Sequence, residues 1–122
     1  MTANNDCNKI PINLEDLNYS PEGLIPAVIQ DAQTLAVLMV AYMNQEALKR
    51  TLRDRKAWFW SRSRQEYWLK GGTSGNFLAV QAIYYDCDAD TLLVKVIPQG
   101  DGVACHTGRY TCFHNLLAGQ ES

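Results

Sequence analysis

The chain has 122 residues, 47% of them hydrophobic, and a formal net charge of -2. That suits one domain with one core, and the overall acidity argues against a general polyanion binder. No apolar run approaches the roughly 20 residues of a membrane span, and the polar start from Met1 to Asp6 has no apolar stretch behind it of the kind a secretion signal needs. The expected compartment is therefore the cytoplasm, where cysteines serve as metal ligands, as catalytic groups or as inert thiols more often than as disulfides.

In chain order, residues 1–9 read as a mobile polar tail in which Cys7 is incidental. Residues 10–17 form a short lead-in, and Ser20-Pro21-Glu22-Gly23 is a turn. Residues 24–30 and 35–41 predict a β-hairpin with a four-residue loop, the second strand apolar enough to be covered on both faces. Asn44 is a good helix N-cap, and the helix runs over 45–53 with Ala47, Leu48 and Leu52 on its apolar face and Glu46 four residues before Arg50. Residues 57–61 and 66–69 are aromatic strands, 70–76 a flexible loop, and 77–85 and 92–97 a second hairpin. The expected class is α+β, mainly β, in a single small domain over 21–116. An N-terminal extension over 1–20, partly mobile, precedes it, and a tail over 117–122 follows.

Charge is uneven along the chain. Residues 49–70 hold eight of the eleven basic groups and two of the thirteen acids, a net of +6 that leaves -8 for the rest. Trp58, Trp60, Tyr67 and Trp68 lie among Arg62, Arg64 and Lys70 in that stretch, a mixture that suits a nucleobase carrying phosphates. It is also what a buried aromatic core beneath a solvated basic face looks like. A nucleic-acid-binding zinc module is the competing reading of this segment. The loop Gly71-Gly72-Thr73-Ser74-Gly75 could offer N–H groups and hydroxyls to an anion, but it is not a Walker A loop.

Two motifs carry metal-binding chemistry. Asp86-Cys87-Asp88-Ala89-Asp90 alternates hard oxygens with one soft sulfur, and on an extended segment the three carboxylates would share one face. An EF-hand is excluded, since its sixth and twelfth positions would be Thr91 and Ile97 rather than Gly and Glu. A solvated turn is the plain alternative. Cys105 and Cys112, with His106 and His114 close by, complete a possible thiolate site for zinc, either structural with four protein ligands or catalytic with water in the fourth position. Inert thiols are the alternative. A zinc nucleoside deaminase is excluded by the absence of H-x-E and P-C-x-x-C.

Taken together, Met39-Val-Ala-Tyr-Met-Asn44, Phe59-Trp-Ser-Arg-Ser-Arg64, Trp68-Leu-Lys-Gly-Gly-Thr-Ser-Gly-Asn76, Asp86-Cys-Asp-Ala-Asp90, Ala104-Cys-His-Thr-Gly108 and Cys112-Phe113 resemble phosphoribosyl-AMP cyclohydrolase, the ring-opening hydrolase of histidine biosynthesis. The chain departs from the family's usual K-G-E-T-S-G-N loop at Gly72. The resemblance implies an intertwined homodimer acting on a small molecule, with neither nucleic acid nor membrane as a partner. It implies zinc on Cys87 of one subunit and on Cys105 and Cys112 of the other, and magnesium on Asp86, Asp88 and Asp90. His106 is then a proton shuttle or a fourth zinc ligand. Arg62, Arg64, Lys70, Thr73, Ser74, Asn76 and Trp60 are the candidate substrate contacts. Some relatives carry a further pyrophosphohydrolase domain, and with Ser122 as the last residue that activity is expected to be absent.

Overall fold

A computed structural model describes residues 13–121. The polar tail with Cys7, and most of the lead-in before Asn13, lie outside the described residues. Six strands and one helix follow in the order β1 (Ile25–Asp31), β2 (Val37–Met43), α1 (Gln45–Asp54), β3 (Trp58–Ser61), β4 (Glu66–Leu69), β5 (Leu78–Tyr85) and β6 (Leu92–Pro98). This is the mainly β, α+β class expected from the sequence. No helix of the described residues is long and apolar enough to cross a membrane.

The main sheet has the strand order β2-β1-β6-β5, and β3 and β4 form a separate hairpin. Both expected hairpins form, and β1 and β6 also pair in parallel, bringing the two together at the centre of the sheet. Pro26 lies in a central strand although it cannot donate a ladder hydrogen bond. It is tolerated because the β1–β6 ladder begins one residue later, at Ala27 opposite Leu92.

Alternation along the central strands decides the core. Ile25, Ala27 and Ile29 of β1 and Leu92, Val94 and Val96 of β6 all turn inward, as period two requires. They meet Met43, Ala47, Leu48, Phe59 and Leu78 from the other elements. Each large apolar side chain buried here contributes about 1.5–3 kcal/mol. Leu17 of the lead-in is also part of this core.

Two expectations fail for tertiary reasons. β2 is an edge strand covered on one face only, so Val37 and Val40 stay 43% and 46% exposed. In α1 the buried positions are Ala47, Leu48 and Thr51, while Leu52 turns outward. Thr51 is satisfied in the core because its hydroxyl donates to the Ala47 carbonyl at 2.9 Å and accepts from the Trp58 N–H at 3.0 Å. The helix start and its surface pair are as read: the Asn44 side-chain oxygen accepts the Ala47 N–H at 2.9 Å, and Arg50 pairs with Glu46 at 3.0 Å, while the helix runs one residue further than expected, to Asp54.

Candidate active site and metal centre

β4 and the residue after it place Glu66, Trp68 and Lys70 at alternate positions, so all three face the same way. They line a cavity of about 480 Å³ together with Arg64, His106 and Cys112. A second cavity, of about 560 Å³, is lined by Thr73, Ser74, Asn76, Asp101 and Cys105. Trp68, Lys70 and His106 belong to both cavities and form their shared wall. Each volume is in the range of small-molecule sites. Lys70 is only 9% exposed, and its ammonium sits 5.4 Å from the centre of the Trp68 ring.

Short hydrogen bonds tie the loop after β4 into the second cavity. The Gly75 N–H donates to the Gly71 carbonyl at 2.8 Å, the Ser74 hydroxyl accepts the Asn76 N–H at 3.1 Å, and the Asn76 side chain accepts the Asp101 N–H at 2.8 Å. Gly71 has φ of +92°, and a Cβ there would run into the backbone of Phe77, so no other residue fits. Gly72 has ordinary backbone angles, and a Cβ there would lie 3.2 Å from the Leu69 carbonyl oxygen. A side chain at 72 is therefore tight but not forbidden.

Cys105 and Cys112 are brought together on the segment that follows β6. The Cys105 N–H donates to the Arg109 carbonyl at 3.1 Å, and the Cys112 N–H donates to the Leu38 carbonyl at 2.8 Å. Cys105 is buried, and its thiol lies 3.0 Å from the Thr107 hydroxyl. Hydrogen bonding from Thr107, side chain first and then backbone, outweighs burial, and with His114 and Cys112 also in reach the Cys105 thiol is lowered to about 6. Cys112 is pushed up, by burial and by the neighbouring Cys105. The pair thus shares one thiolate readily near neutral pH, as a soft metal site requires. The imidazole beside this sulfur is His114, whereas His106 points into the cavities. Its position two residues beyond Cys112 was the available signal for His114.

Asp86, Asp88 and Asp90 converge at the tip of the β5–β6 hairpin, with one carboxylate oxygen from each within 4.8 Å of the others. They meet through a tight turn, not through the expected extended strand: Ala89 has φ of +59°, and its N–H donates to the Asp86 carbonyl at 3.0 Å. Asp86 also accepts the N–H groups of Asp90 and Thr91, at 3.0 and 3.2 Å. Burial pushes the Asp86 carboxyl up, but these hydrogen bonds outweigh it and hold it below the usual carboxylate range. Asp88 is raised by its hydrogen bonds to Asp90 and Asp86 and by their charge. A carboxylate that resists ionisation between two others is a group that a divalent cation would relieve.

Among the described residues, this triad is the only group of three or more potential ligands whose atoms converge. Cys87 is exposed on the same turn. The turn and the Cys105 segment lie beyond opposite ends of β6, a strand of seven residues. At about 3.3 Å per residue, on the order of 20 Å of strand separates the two ends. Trp60 and Arg62 are likewise apart from the two cavities. They line a third one, of about 380 Å³, with Asn44 and Gln65, and the Arg62 guanidinium stacks on Tyr42 at 4.1 Å.

The family model described as "Phosphoribosyl-AMP cyclohydrolase" matches residues 39–114. A phosphoribosyl-AMP cyclohydrolase of Pelotomaculum thermopropionicum is 57% identical over 108 residues, covering 88% of this chain and 82% of the relative. One of Chloroherpeton thalassium is 53% identical over 114 residues, covering 93% and 80%. A histidine biosynthesis bifunctional protein of a Nostoc species is 54% identical over 109 residues, and the match covers 89% of this chain but only 49% of that protein. The matched residues include the paired cavities, the sulfur pair and the acidic turn, and the chain belongs to the phosphoribosyl-AMP cyclohydrolase family.

Proposed function

We propose that this site hydrolyses the adenine ring of 1-(5-phosphoribosyl)-AMP at the N1–C6 bond, giving the formimino-carboxamide ribotide of cytoplasmic histidine biosynthesis. Membership of the family makes the chain a hydrolase of that pathway. The observation that carries the finer reading is the shared wall of Trp68, Lys70 and His106, which sets an aromatic face, a cation and an imidazole in two cavities that Cys112 and Cys105 also line.

The substrate is an adenine whose N1 bears a second phosphoribosyl group, which leaves C6 open to attack. Trp68, 40% exposed, offers its face to the purine. Lys70, Arg64, Thr73 and Ser74 line the walls where the phosphates would lie, and their charge and hydroxyls suit those groups. His106 takes the proton of the attacking water and returns it to N1. The water oxygen bonds to C6 and becomes the carboxamide oxygen, the N1–C6 bond breaks, one water proton ends on N1, and the other ends on the exocyclic nitrogen, which becomes the carboxamide NH2. The donor sets fit two metals: Cys105 and Cys112 with Cys87 for zinc, and Asp86, Asp88 and Asp90 for magnesium. When bound, zinc lowers the pKa of water toward 7, and magnesium offsets phosphate charge.

The distance between Cys87 and the other two sulfurs supports a homodimer in which Cys87 comes from a second copy. The exposed Val37 and Val40 on one sheet edge, and Tyr84 and Tyr85 on the other, supply apolar surface for it. The test is turnover of phosphoribosyl-AMP, followed by ultraviolet absorbance as the ring opens. Cys105→Ser should abolish turnover while the chain stays folded. Full activity after the metals are stripped would sink the reading.

A further inference from the structure

The span between the two sulfurs contains one side chain that reaches back into the sheet. The Tyr110 hydroxyl donates to Asp31 Oδ2 at 2.7 Å and lies 2.5 Å from the Thr34 hydroxyl. Asp31 ends β1 and is only 4% exposed. Its other oxygen, Oδ1, accepts the N–H groups of Gln33 and Thr34 at 2.8 and 3.1 Å, closing the β1–β2 turn. One carboxylate thus joins the β1–β2 turn to the sulfur-bearing segment. Around this tie, the Ala104 N–H donates to the Tyr110 carbonyl at 3.1 Å, and the Thr111 hydroxyl donates to the Val37 carbonyl at 2.8 Å. Tyr110 is therefore held opposite the residue before Cys105 and two residues before Cys112.

A buried carboxylate is costly unless donors satisfy it, and hydrogen bonds to an ionised acceptor are roughly twice as strong as neutral ones. If the tie served only to attach the C-terminal segment, the backbone bonds of Cys112 and the Thr111 hydroxyl would already do so. Those two bonds hold only the Cys112 end of the span, whereas Tyr110, whose carbonyl also accepts the Ala104 N–H, links that anchor to the Cys105 end.

We infer that Asp31 and Tyr110 are positioning residues for the sulfur pair: the Tyr110 hydroxyl, anchored on Asp31, fixes the 105–112 span so that both sulfurs face one metal ion. This rests on the reading of Cys105 and Cys112 as zinc ligands. The residues act as outer-shell partners do in metal sites, by orienting the ligands rather than by touching the ion.

The test is zinc affinity, measured on the full chain by competition with a chromophoric chelator, together with the absorption spectrum of the cobalt-substituted protein. Tyr110→Phe removes one hydroxyl and leaves the ring in place. It should weaken zinc binding about 10-fold or more and lower the thiolate-to-cobalt absorption, while the metal-free protein keeps its melting temperature within a few degrees. Asp31→Ala should weaken zinc binding likewise but lower the melting temperature further, because it also opens the β1–β2 turn, and Asp31→Asn, which keeps hydrogen-bonding atoms at both positions, should stay near the unmodified protein. Zinc affinity and a cobalt spectrum unchanged in Tyr110→Phe would overturn the positioning role alone. An unmodified protein that took up no zinc would overturn the metal reading, and this inference with it.

Discussion

The side-chain oxygen of Asn76 accepts the backbone N–H of Asp101 at 2.8 Å, and with the Gln99 N–H donated to the Phe77 carbonyl at 2.8 Å this bond joins the loop after β4 to the turn after β6. Both loops line the second cavity, and Gly100 leaves just enough room for the Asn76 oxygen. Asn76→Ala should therefore loosen one wall of the site. A single lost hydrogen bond at an exposed position costs about 1 kcal/mol of stability, so the protein should still fold. Steady-state kinetics should show a raised KM with a smaller change in kcat. Gly100→Ala, whose Cβ would displace the same oxygen, should be the more damaging change in both assays.

Arg50 bears on the nucleic-acid reading of the basic stretch. Its guanidinium lies 4.1 Å from the Tyr67 ring centre and 5.0 Å from that of Trp58, and Arg62 stacks on Tyr42 in the same manner. Trp60 packs edge-on against Tyr67 at 4.9 Å. Aromatic faces covered by the chain's own cations are poor stacking platforms for bases. Titration with a single-stranded oligonucleotide should give no salt-dependent binding near physiological ionic strength. Steep salt-dependent binding would revive the competing reading.

Asp54 sets one limb of the acid stability profile. Hydrogen bonds from Arg53 and then Trp58 hold its carboxyl down at about 2. A carboxyl lower in the folded than in the unfolded chain stabilises the fold at pH values above its ordinary pKa, and that contribution is lost as pH falls through the folded value. The melting temperature should thus decline as pH drops from about 4 toward 2. Asp54→Asn should lower the melting temperature at neutral pH and flatten the slope in that window, so that the two profiles converge near pH 2.

If Cys87 is given to the site by a second copy, two inactive variants can repair one another. Cys87→Ser and Cys105→Ser should each be inactive alone. Mixed, dissociated and reassembled, they should form hybrid dimers in which one of the two sites is whole. Recovered turnover in the mixture is the expected result, and a mixture as inactive as its components would refute the shared site.

Much of this was legible in the sequence because it is local. The Asn44 cap, the Glu46–Arg50 pair, β4 at residues 66–69 and the acidic hairpin tip depend on near neighbours or on period two. What escaped is set by partners distant in sequence. Thr51 is buried because Trp58 satisfies its hydroxyl, and Val40 is half-exposed because β2 happens to be an edge. The convergence of the three aspartates is expected from the sequence, but its route through a left-handed Ala89 has no sequence signal, since alanine does not favour that region. Trp60 and Arg62 stand among the substrate candidates by their company in sequence, and β3 and the turn after it set them at a third cavity. Trp68, by contrast, could have been assigned from its spacing to Lys70.

The parallel pairing of β1 with β6 has a consequence during synthesis. Ala27 finds its partner Leu92 only about 65 positions later in the chain. At about 5–20 residues per second, several seconds pass between the making of the first hairpin and the strand that covers its inner edge. Throughout that interval an apolar strand with an unpaired edge is held near the ribosome, open to pairing with a neighbouring nascent chain. The central strand of the finished sheet is thus the one most exposed to misassembly while the protein is being made.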